Sequence, residues 1–302
     1  MKSWLRLVCC FLASPAAPRA RLCGLGRAGR GGLLLALSLA ACQLSTDPPA
    51  ARPALASRPA SFAAAPAPAA DSLASPDPRA LTPVPTLPGI APALGGAIGA
   101  LHRALGPAAA GLRPAVLTQA AVGYLVLREQ GTARPGATLA VVDFGLPNTT
   151  PRLWVIDLKN QRVLHHSLVA HGRGSGGVRA GRFSSKIKSE CSALGFYRTA
   201  DTYAGKHGLS RRLHGLDAGQ NSTALSRYVV LHGADYVSEN YVAKYGHLGY
   251  SRGCPALPPA QYRAIIRALP AGSVLLLSGP GLASRWLNGA AAGRRFTARG
   301  WQ

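Results

Sequence analysis

Two side chains in the last third of the chain, His232 and Cys254, could together carry out nucleophilic chemistry. A cysteine attacks as its thiolate, and a nearby imidazole can remove the thiol proton and supply an opposite charge. Their separation along the chain is long enough for a crossover loop to bring them together. The residue types therefore predict covalent catalysis, with Cys254 as nucleophile and His232 as base.

The sequence around each side chain favours this interpretation. His232 ends the apolar run at 228–231, and a glycine follows at once, so the histidine leaves the sheet where the chain turns. Cys254 follows Gly253, which permits a close backbone approach, and precedes Pro255, which stiffens the exit. Such a loop can present a thiol beside backbone N–H groups that stabilise an oxyanion.

The elements that must hold these side chains are mostly strands. Apolar and β-branched runs predict strands at 138–144, 152–158, 162–170, 195–199, 228–231 and 273–277. The polar turn at 159–161 joins the second and third as a hairpin. Helices are predicted at 114–130 and 259–269, each opened by a proline. Strands do not alternate with helices, so a mainly β domain is expected and a doubly wound nucleotide-binding fold is disfavoured.

The first 42 residues have the pattern of an export signal. Arginines precede a short apolar run at 33–41, which ends in Leu-Ala-Ala and then Cys42. That ending resembles the lipobox of bacterial lipoproteins, in which the cysteine is lipidated, and the run is too short to span a bilayer. An ordinary signal peptide is the alternative. Because Gln43 rather than Asp follows the cysteine, the resemblance implies a periplasmic protein anchored to the outer membrane.

Composition divides the rest of the chain. Residues 43–111 are rich in proline and alanine and are expected to be a tether, because they offer little apolar surface to bury. Aromatic and β-branched residues concentrate in 112–278, which we expect to be the catalytic domain. The Gly/Ala/Arg-rich end, 279–302, is expected to be a loose tail.

The chain is strongly basic, with Lys+Arg 34 against Asp+Glu 11. A polyanionic partner would explain this, but no long basic run is interleaved with stacking aromatics, so scattered surface arginine is favoured and nucleic acid is not expected as a partner. The six cysteines show no zinc-ligand spacing, so neither a metal nor another cofactor is expected.

Several blocks in order resemble one enzyme family, the YkuD-like L,D-transpeptidases. Its signature is a strand-borne histidine followed by a loop that ends in Ser-x-Gly-Cys, here His232-Gly233 and Ser251-Arg252-Gly253-Cys254. The resemblance is greatest to the branch called the murein L,D-transpeptidase catalytic domain family. The shared blocks are HGRGSG at 171–176, FSS at 183–185, SALGFYRT at 192–199, YAGKHGLSRRLHGLDAGQN at 203–221, HGADYVS at 232–238 and SRGCPA at 251–256.

The resemblance implies a YkuD-like β-sandwich with a few helices, acting on peptidoglycan stem peptides. Cys254 would attack the carbonyl of an L-centre–D-Ala bond in a tetrapeptide stem, with His232 as the base. Ser251 would orient the loop, and the N–H groups around Gly253 and Cys254 would hold the oxyanion. The resulting thioester would pass to an amine of another stem or to water. Two departures from the family pattern, Arg252 and Pro255, leave both reacting groups in place.

The same resemblance supplies candidate substrate-binding residues. They lie in the shared blocks or beside the reacting pair: Arg252, Gly233, Tyr203, Lys206, His207, Asn221 and His171.

Three alternatives remain open at this point. Cys254 could form a structural disulfide with Cys191 in an oxidising compartment. The protein could be a hydrolase that uses water as acceptor, or a catalytically idle lipoprotein that binds the cell wall through its basic surface. No protein partner is inferable from the sequence.

Overall fold

The computed structural model describes residues 87–134 and 138–301. These residues form one mixed sheet of eight strands, in the order β3-β2-β1-β8-β4-β5-β6-β7. The strands are β1 Leu139–Asp143, β2 Leu153–Asp157, β3 Arg162–Ser167, β4 Gly195–Gly205, β5 Gly208–Gly215, β6 Val230–Gly233, β7 Ala256–Leu257 and β8 Val274–Ser278. The mainly β domain expected from the sequence is confirmed.

Five α-helices accompany the sheet: α1 Pro92–Leu105, α2 Pro114–Glu129, α3 Glu239–Tyr245, α4 Tyr262–Ala268 and α5 Gly289–Arg299. Both predicted helices are present, as α2 and α4. The predicted hairpin is also present, as the antiparallel pair of β2 and β3. The strand β5 was not predicted, because its sequence, GLSRRLHG, is rich in arginine and lacks a continuous apolar run.

Alternate residues of the central strands feed two separate cores, one on each face of the sheet. On one face Val141 and Phe196 pack with α1, α2 and α5. On the other face Ala140 and Tyr197 pack with α4 and the strands that carry the site. Helix α2 lies so close to the sheet that a β-carbon at Gly123 would fall 2.0 Å from the Phe196 ring. The strand that carries His232 and the strand that follows Cys254 thus belong to a sheet that is packed on both faces.

The sheet curls until its two edges nearly meet. The chain that continues β3 forms a bridge from Ala170 to Ala256 of β7, in which the Ala170 N–H donates to the Ala256 carbonyl at 2.9 Å. Leu153 of β2 and Leu257 of β7 consequently share one core cluster although they belong to strands near opposite edges. The expected β-sandwich is therefore realised as a single sheet folded into a near-barrel.

The structure differs from the sequence analysis at both ends of the domain. Helix α1 lies inside the expected tether and buries Leu94, Ile98, Leu101 and Leu105, an apolar stripe at helical spacing. The expected loose tail contains α5, and Trp286 just before it is buried in the same core. Neither helix was predicted from composition, because alanine and glycine make up more than half of the residues in the two segments.

The signal segment and Cys42 lie outside the described residues. Within 87–134 and 138–301, none of the helices combines the length and the hydropathy that a membrane-spanning segment needs.

Candidate active site

His232 and Cys254 are brought to neighbouring segments by the pairing of β6 with β7. The two strands run parallel, with His232 opposite Ala256 and Gly233 opposite Leu257. Cys254 precedes Ala256 by two positions, so the loop that carries the thiol enters β7 alongside the strand that carries the histidine. Neighbouring strands lie about 4.8 Å apart, which places the two residues in one small region.

The His232 ring is buried, with 4% of the residue exposed, and its orientation is fixed by its own strand end. Its Nδ1 lies 2.9 Å from the carbonyl oxygen of Gly233. A carbonyl oxygen only accepts, so Nδ1 carries the proton and Nε2 is left as the basic nitrogen. The backbone at Gly233 thereby has the orienting role that a carboxylate has in a catalytic triad.

The Cys254 thiol is partly buried and donates to the backbone carbonyl of Tyr228, with 3.6 Å between sulfur and oxygen. Tyr228 lies two residues before β6, so the sulfur rests against the chain that leads into the histidine strand. No hydrogen bond joins the Cys254 and His232 side chains in this arrangement. Proton transfer between them therefore requires the thiol to turn away from the Tyr228 carbonyl.

Both reacting groups are held in their neutral forms. Burial lowers the pKa of His232, and the charges of His207 and Lys206 lower it further against the opposing Gly233 hydrogen bond. Burial raises the pKa of Cys254, while the Val230 backbone N–H and nearby cations oppose the rise. A neutral imidazole beside a neutral thiol is the starting state for general-base activation during attack.

The nucleophile loop is held by the Ser251 hydroxyl. It donates to the Cys254 carbonyl at 2.6 Å and accepts the Gly253 N–H at 3.0 Å. Gly253 has φ +117°, and a β-carbon there would lie 2.5 Å from the Cys191 carbonyl oxygen. Only glycine suits this position, and the turn that it forms presents Cys254 at the surface of the loop.

The Gly253 and Cys254 N–H groups differ in their hydrogen bonding. The Gly253 N–H, which was expected to help hold the oxyanion, is already bonded to Ser251 Oγ. Within the described chain the Cys254 N–H has no such partner, so it is the donor available to a developing oxyanion. Hydroxyl-to-backbone bonding of this kind is common for serine in turns, and the spacing Ser251-Arg252-Gly253 is its signal in the sequence.

His171, a candidate substrate contact, lies behind the nucleophile loop and is fully buried. Its Nδ1 accepts from Arg152 Nη2 at 2.7 Å, and burial with the Arg152 charge lowers its pKa to about 4. Its carbonyl accepts the Ser251 N–H at 3.0 Å. These contacts are consistent with His171 supporting the loop that carries Cys254.

Lys206 and His207 form the exposed tip between β4 and β5, and this tip lies over the histidine. The His207 ring stacks on His232, with centroids 4.5 Å apart. Both tip residues line a cavity of about 470 Å³ together with Gly233 and Tyr262. Of the candidate substrate-binding residues, Lys206, His207 and Gly233 are thus gathered at one cavity.

Three other candidates lie elsewhere. Tyr203 stands on β4 under the Arg212 guanidinium, 4.5 Å from its ring centroid. Asn221 is fully buried, where its side chain donates to the Phe196 carbonyl and accepts the Asp217 N–H. Arg252 is 82% exposed beside the nucleophile and forms an ion pair with Glu190 at 3.4 Å. Only Arg252 of these three is placed where a ligand at Cys254 could reach it.

Sequence reasoning missed the turn that leads into β6. Tyr228 holds the thiol through its carbonyl, and Arg227 reaches the glycine before the nucleophile. Tyr228 also has φ +54° and is 82% exposed, an unusual conformation for a large side chain. The only available signal was their position just upstream of His232.

The chemistry available to other groups is limited. Cys191 and Cys254 are both free thiols, and Cys191 Sγ points to the Ser189 carbonyl at 3.4 Å, so the alternative disulfide is absent from this structure. Among the residues described, no three His, Cys, Asp or Glu side chains are grouped closely enough to hold a metal ion.

A sequence model of the L,D-transpeptidase catalytic domain family (YkuD_2) matches residues 108–277, which is more than half of the chain. No functionally curated protein matches this chain.

Solved structures that are similar to this chain have low sequence identity and low TM-scores. An L,D-transpeptidase from Mycobacterium smegmatis is 15% identical, with a TM-score of 0.30, over 47% of this chain and 59% of that one. An L,D-transpeptidase (Yku) from Stackebrandtia nassauensis is 16% identical, with a TM-score of 0.29, over 61% and 78%. The helical cell shape determining protein Pgp2 from Campylobacter jejuni is 12% identical, with a TM-score of 0.31, over 58% and 63%. The chain thus spans 59% of the length of the first of these relatives.

Proposed function

Because this chain belongs to the L,D-transpeptidase catalytic domain family, we propose that it is a cysteine-dependent acyltransferase that acts on the tetrapeptide stems of peptidoglycan. The observation that carries the proposal is the placement of Cys254 beside a histidine whose Nδ1 is fixed on Gly233 and whose Nε2 is free to act as base. Family membership supplies the substrate class, and the site supplies the groups that react.

The first half-reaction forms a thioester. The thiol turns from the Tyr228 carbonyl toward His232, which takes its proton at Nε2 as sulfur attacks the carbonyl carbon of the bond before D-Ala. The Cys254 N–H stabilises the oxyanion. Collapse breaks the carbon–nitrogen bond, and the imidazolium returns its proton to the leaving amine, so that D-Ala departs and His232 is neutral again.

The second half-reaction releases the stem. An amine of another stem attacks the thioester and gives its proton to His232, and the departing sulfur recovers a proton from the imidazolium. The product is a 3-3 cross-link. Water in place of the amine gives a tripeptide, so the same groups also support carboxypeptidase activity.

The charges around the site suit a peptide that carries carboxylates. Arg173 and Arg252 flank the nucleophile loop and share the single carboxylate of Glu190. Lys206 stands exposed at the cavity beside the histidine. This excess of positive charge favours an anionic stem peptide by attraction over several ångströms. We propose Lys206, His207 and Arg252 as contacts for the stem.

We also propose that the enzyme works in the periplasm, anchored to the outer membrane through a lipid on Cys42. The support is the sequence pattern at 39–42 alone. Mass spectrometry of the mature amino terminus tests it: a lipidated Cys42 supports the anchor, and an intact terminus at Met1 contradicts export.

The function itself is tested by incubating the purified protein with tetrapeptide muropeptides. We expect D-Ala release and 3-3 dimers from the wild type, and neither from Cys254→Ala. Cys191→Ala, which removes the buried thiol of the same domain, is the control and should retain activity. Tripeptide without dimers would assign the hydrolase. D-Ala release by Cys254→Ala, or sacculus binding without any turnover by the wild type, would contradict the proposal.

A further inference from the structure

The guanidinium of Arg227 lies against the backbone of the nucleophile loop. Its Nη1 donates to the Ser184 carbonyl at 2.8 Å, and its Nη2 donates to the Cys191 carbonyl at 2.7 Å. The same Nη2 would lie 2.8 Å from a β-carbon at Gly253, the residue before Cys254. One side chain is thus anchored by two hydrogen bonds to the segment behind the loop and lies close to the loop at Gly253.

The hydrogen bonds of this guanidinium go to uncharged partners. Both are backbone carbonyls, so within the described chain neither contact neutralises the guanidinium. Glu190, the acid on the same segment, instead pairs with Arg173 and Arg252. A positive charge that is partly buried, held by two hydrogen bonds and uncompensated by these contacts acts on its surroundings more strongly than an exposed, paired one.

We propose that Arg227 is a positioning residue for the nucleophile, which holds Gly253 in place and supplies the positive charge that stabilises negative charge on the Cys254 sulfur. This inference rests on the proposed role of Cys254. Arginine suits the task because its planar fork can bridge two carbonyls while its charge remains fixed.

The electrostatics of the thiol support the assignment. Burial raises the pKa of Cys254, and the Val230 N–H, Arg227 and Lys206 act in the opposite direction. Besides the neighbouring His232, whose pKa burial lowers, Tyr197 and Tyr236 also interact with the thiol. Burial raises the pKa of both phenols, that of Tyr236 to about 12, so neither changes charge below pH 10. Lys206 is exposed and solvent screens it, which leaves Arg227 as the fixed cation.

The test is the pH dependence of Cys254 alkylation by iodoacetamide, followed on the full-length protein by peptide mass spectrometry. Arg227→Gln should raise the apparent pKa of Cys254 by about 1, a tenfold loss of thiolate near neutral pH. Arg162→Gln is the matched control, because it removes an exposed arginine of β3 that pairs with Asp157 of β2, and it should leave the thiol unchanged. An unaltered thiol pKa in a folded but less stable Arg227→Gln protein would overturn the proposal.

If Arg227→Gln does not fold, Arg227→Lys provides a second test. Lysine keeps the charge but not the fork, so the thiol pKa should stay within about 0.5 of wild type while the melting temperature falls. A thiol pKa that rises as stability falls would show that packing sets it, and would also overturn the proposal. Alkylation needs no substrate, so failure of the proposed acyl transfer is seen separately, as D-Ala release by Cys254→Ala.

Discussion

The imidazole rings of His207 and His232 lie nearly face to face, with centroids 4.5 Å apart and planes inclined by 29°. His207 comes from an exposed hairpin tip, whereas His232 is buried at the end of β6. The stack places an exposed side chain of the hairpin tip directly against the buried imidazole at the end of β6. Because like charges oppose each other, positive charge on His207 lowers the pKa of His232, although burial is the larger cause of that lowering.

The pH dependence of Cys254 acylation by a carbapenem should follow His232. Its pKa lies below the ordinary value of 6.5, so the base stays neutral at pH 6.5 and the rate should fall only at lower pH. In His207→Phe the stack remains but one charge is lost, so the pKa of His232 should rise slightly and the acid limb should move to higher pH. Burial is the larger cause of the lowered pKa of His232, so the loss of the His207 charge should move the acid limb only slightly. A wild-type acid limb centred above 6.5 would contradict this assignment.

Loss of the Ser251 hydroxyl should slow acylation more than it destabilises the domain. Ser251→Ala removes the bonds to the Cys254 carbonyl and from the Gly253 N–H, which costs about 1–3 kcal/mol in stability. The resulting displacement of the thiol should reduce the rate by about tenfold to a hundredfold. Acylation rates measure the effect on the thiol, and urea unfolding measures the effect on stability. Ser226→Ala, at an exposed hydroxyl, is the control, and equal rates in both variants would refute a positioning role for Ser251.

A methyl group at position 253 should be poorly tolerated. Gly253→Ala would place the β-carbon 2.5 Å from the Cys191 carbonyl at a positive φ, and we expect a loss of about 3 kcal/mol in unfolding free energy. Gly177→Ala meets nothing within 4 Å and should change stability by less than about 0.5 kcal/mol. Chemical denaturation of both variants measures the two changes in unfolding free energy. Comparable midpoints would mean that the loop is not packed as described.

Tyr228 should be replaceable by glycine without loss of stability. The turn before β6 ends with Tyr228 N–H bonded to Leu225 and Val229 N–H bonded to Ala224, a helix-ending motif whose left-handed position usually holds glycine. Tyr228→Gly should therefore match the wild type or exceed it by up to about 1 kcal/mol, whereas Tyr228→Ala loses the same ring and keeps the strain. Thermal unfolding should rank glycine above alanine, and the reverse order would contradict the strained backbone.

The reacting residues were accessible from the sequence because each sits in a local pattern with its own meaning. A histidine at the end of an apolar strand and a cysteine after glycine are recognisable without knowledge of the fold. The strand pairing that brings them together, β6 parallel to β7, was not predicted, because β7 has only two residues and no periodicity.

The other features that the sequence did not predict have one physical origin, which is contact between segments that are distant in the chain. His171 and Asn221 lie in blocks shared with the family, but their burial depends on what packs over them. Arg227 acts through carbonyls at 184 and 191, and no local pattern indicates such partners. The helices α1 and α5 are stabilised by packing on each other and on α2, which composition alone does not reveal.

The bridges at Ala170–Ala256 and Gly172–Ser251 lie on either side of the cysteine, where the curled sheet closes on itself. A chain whose edges have not yet joined has no ordered turn around this sulfur and no histidine beside it. Reactivity at position 254 should therefore develop late in folding and report its completion. An immature or misfolded molecule would then be inert toward its substrate.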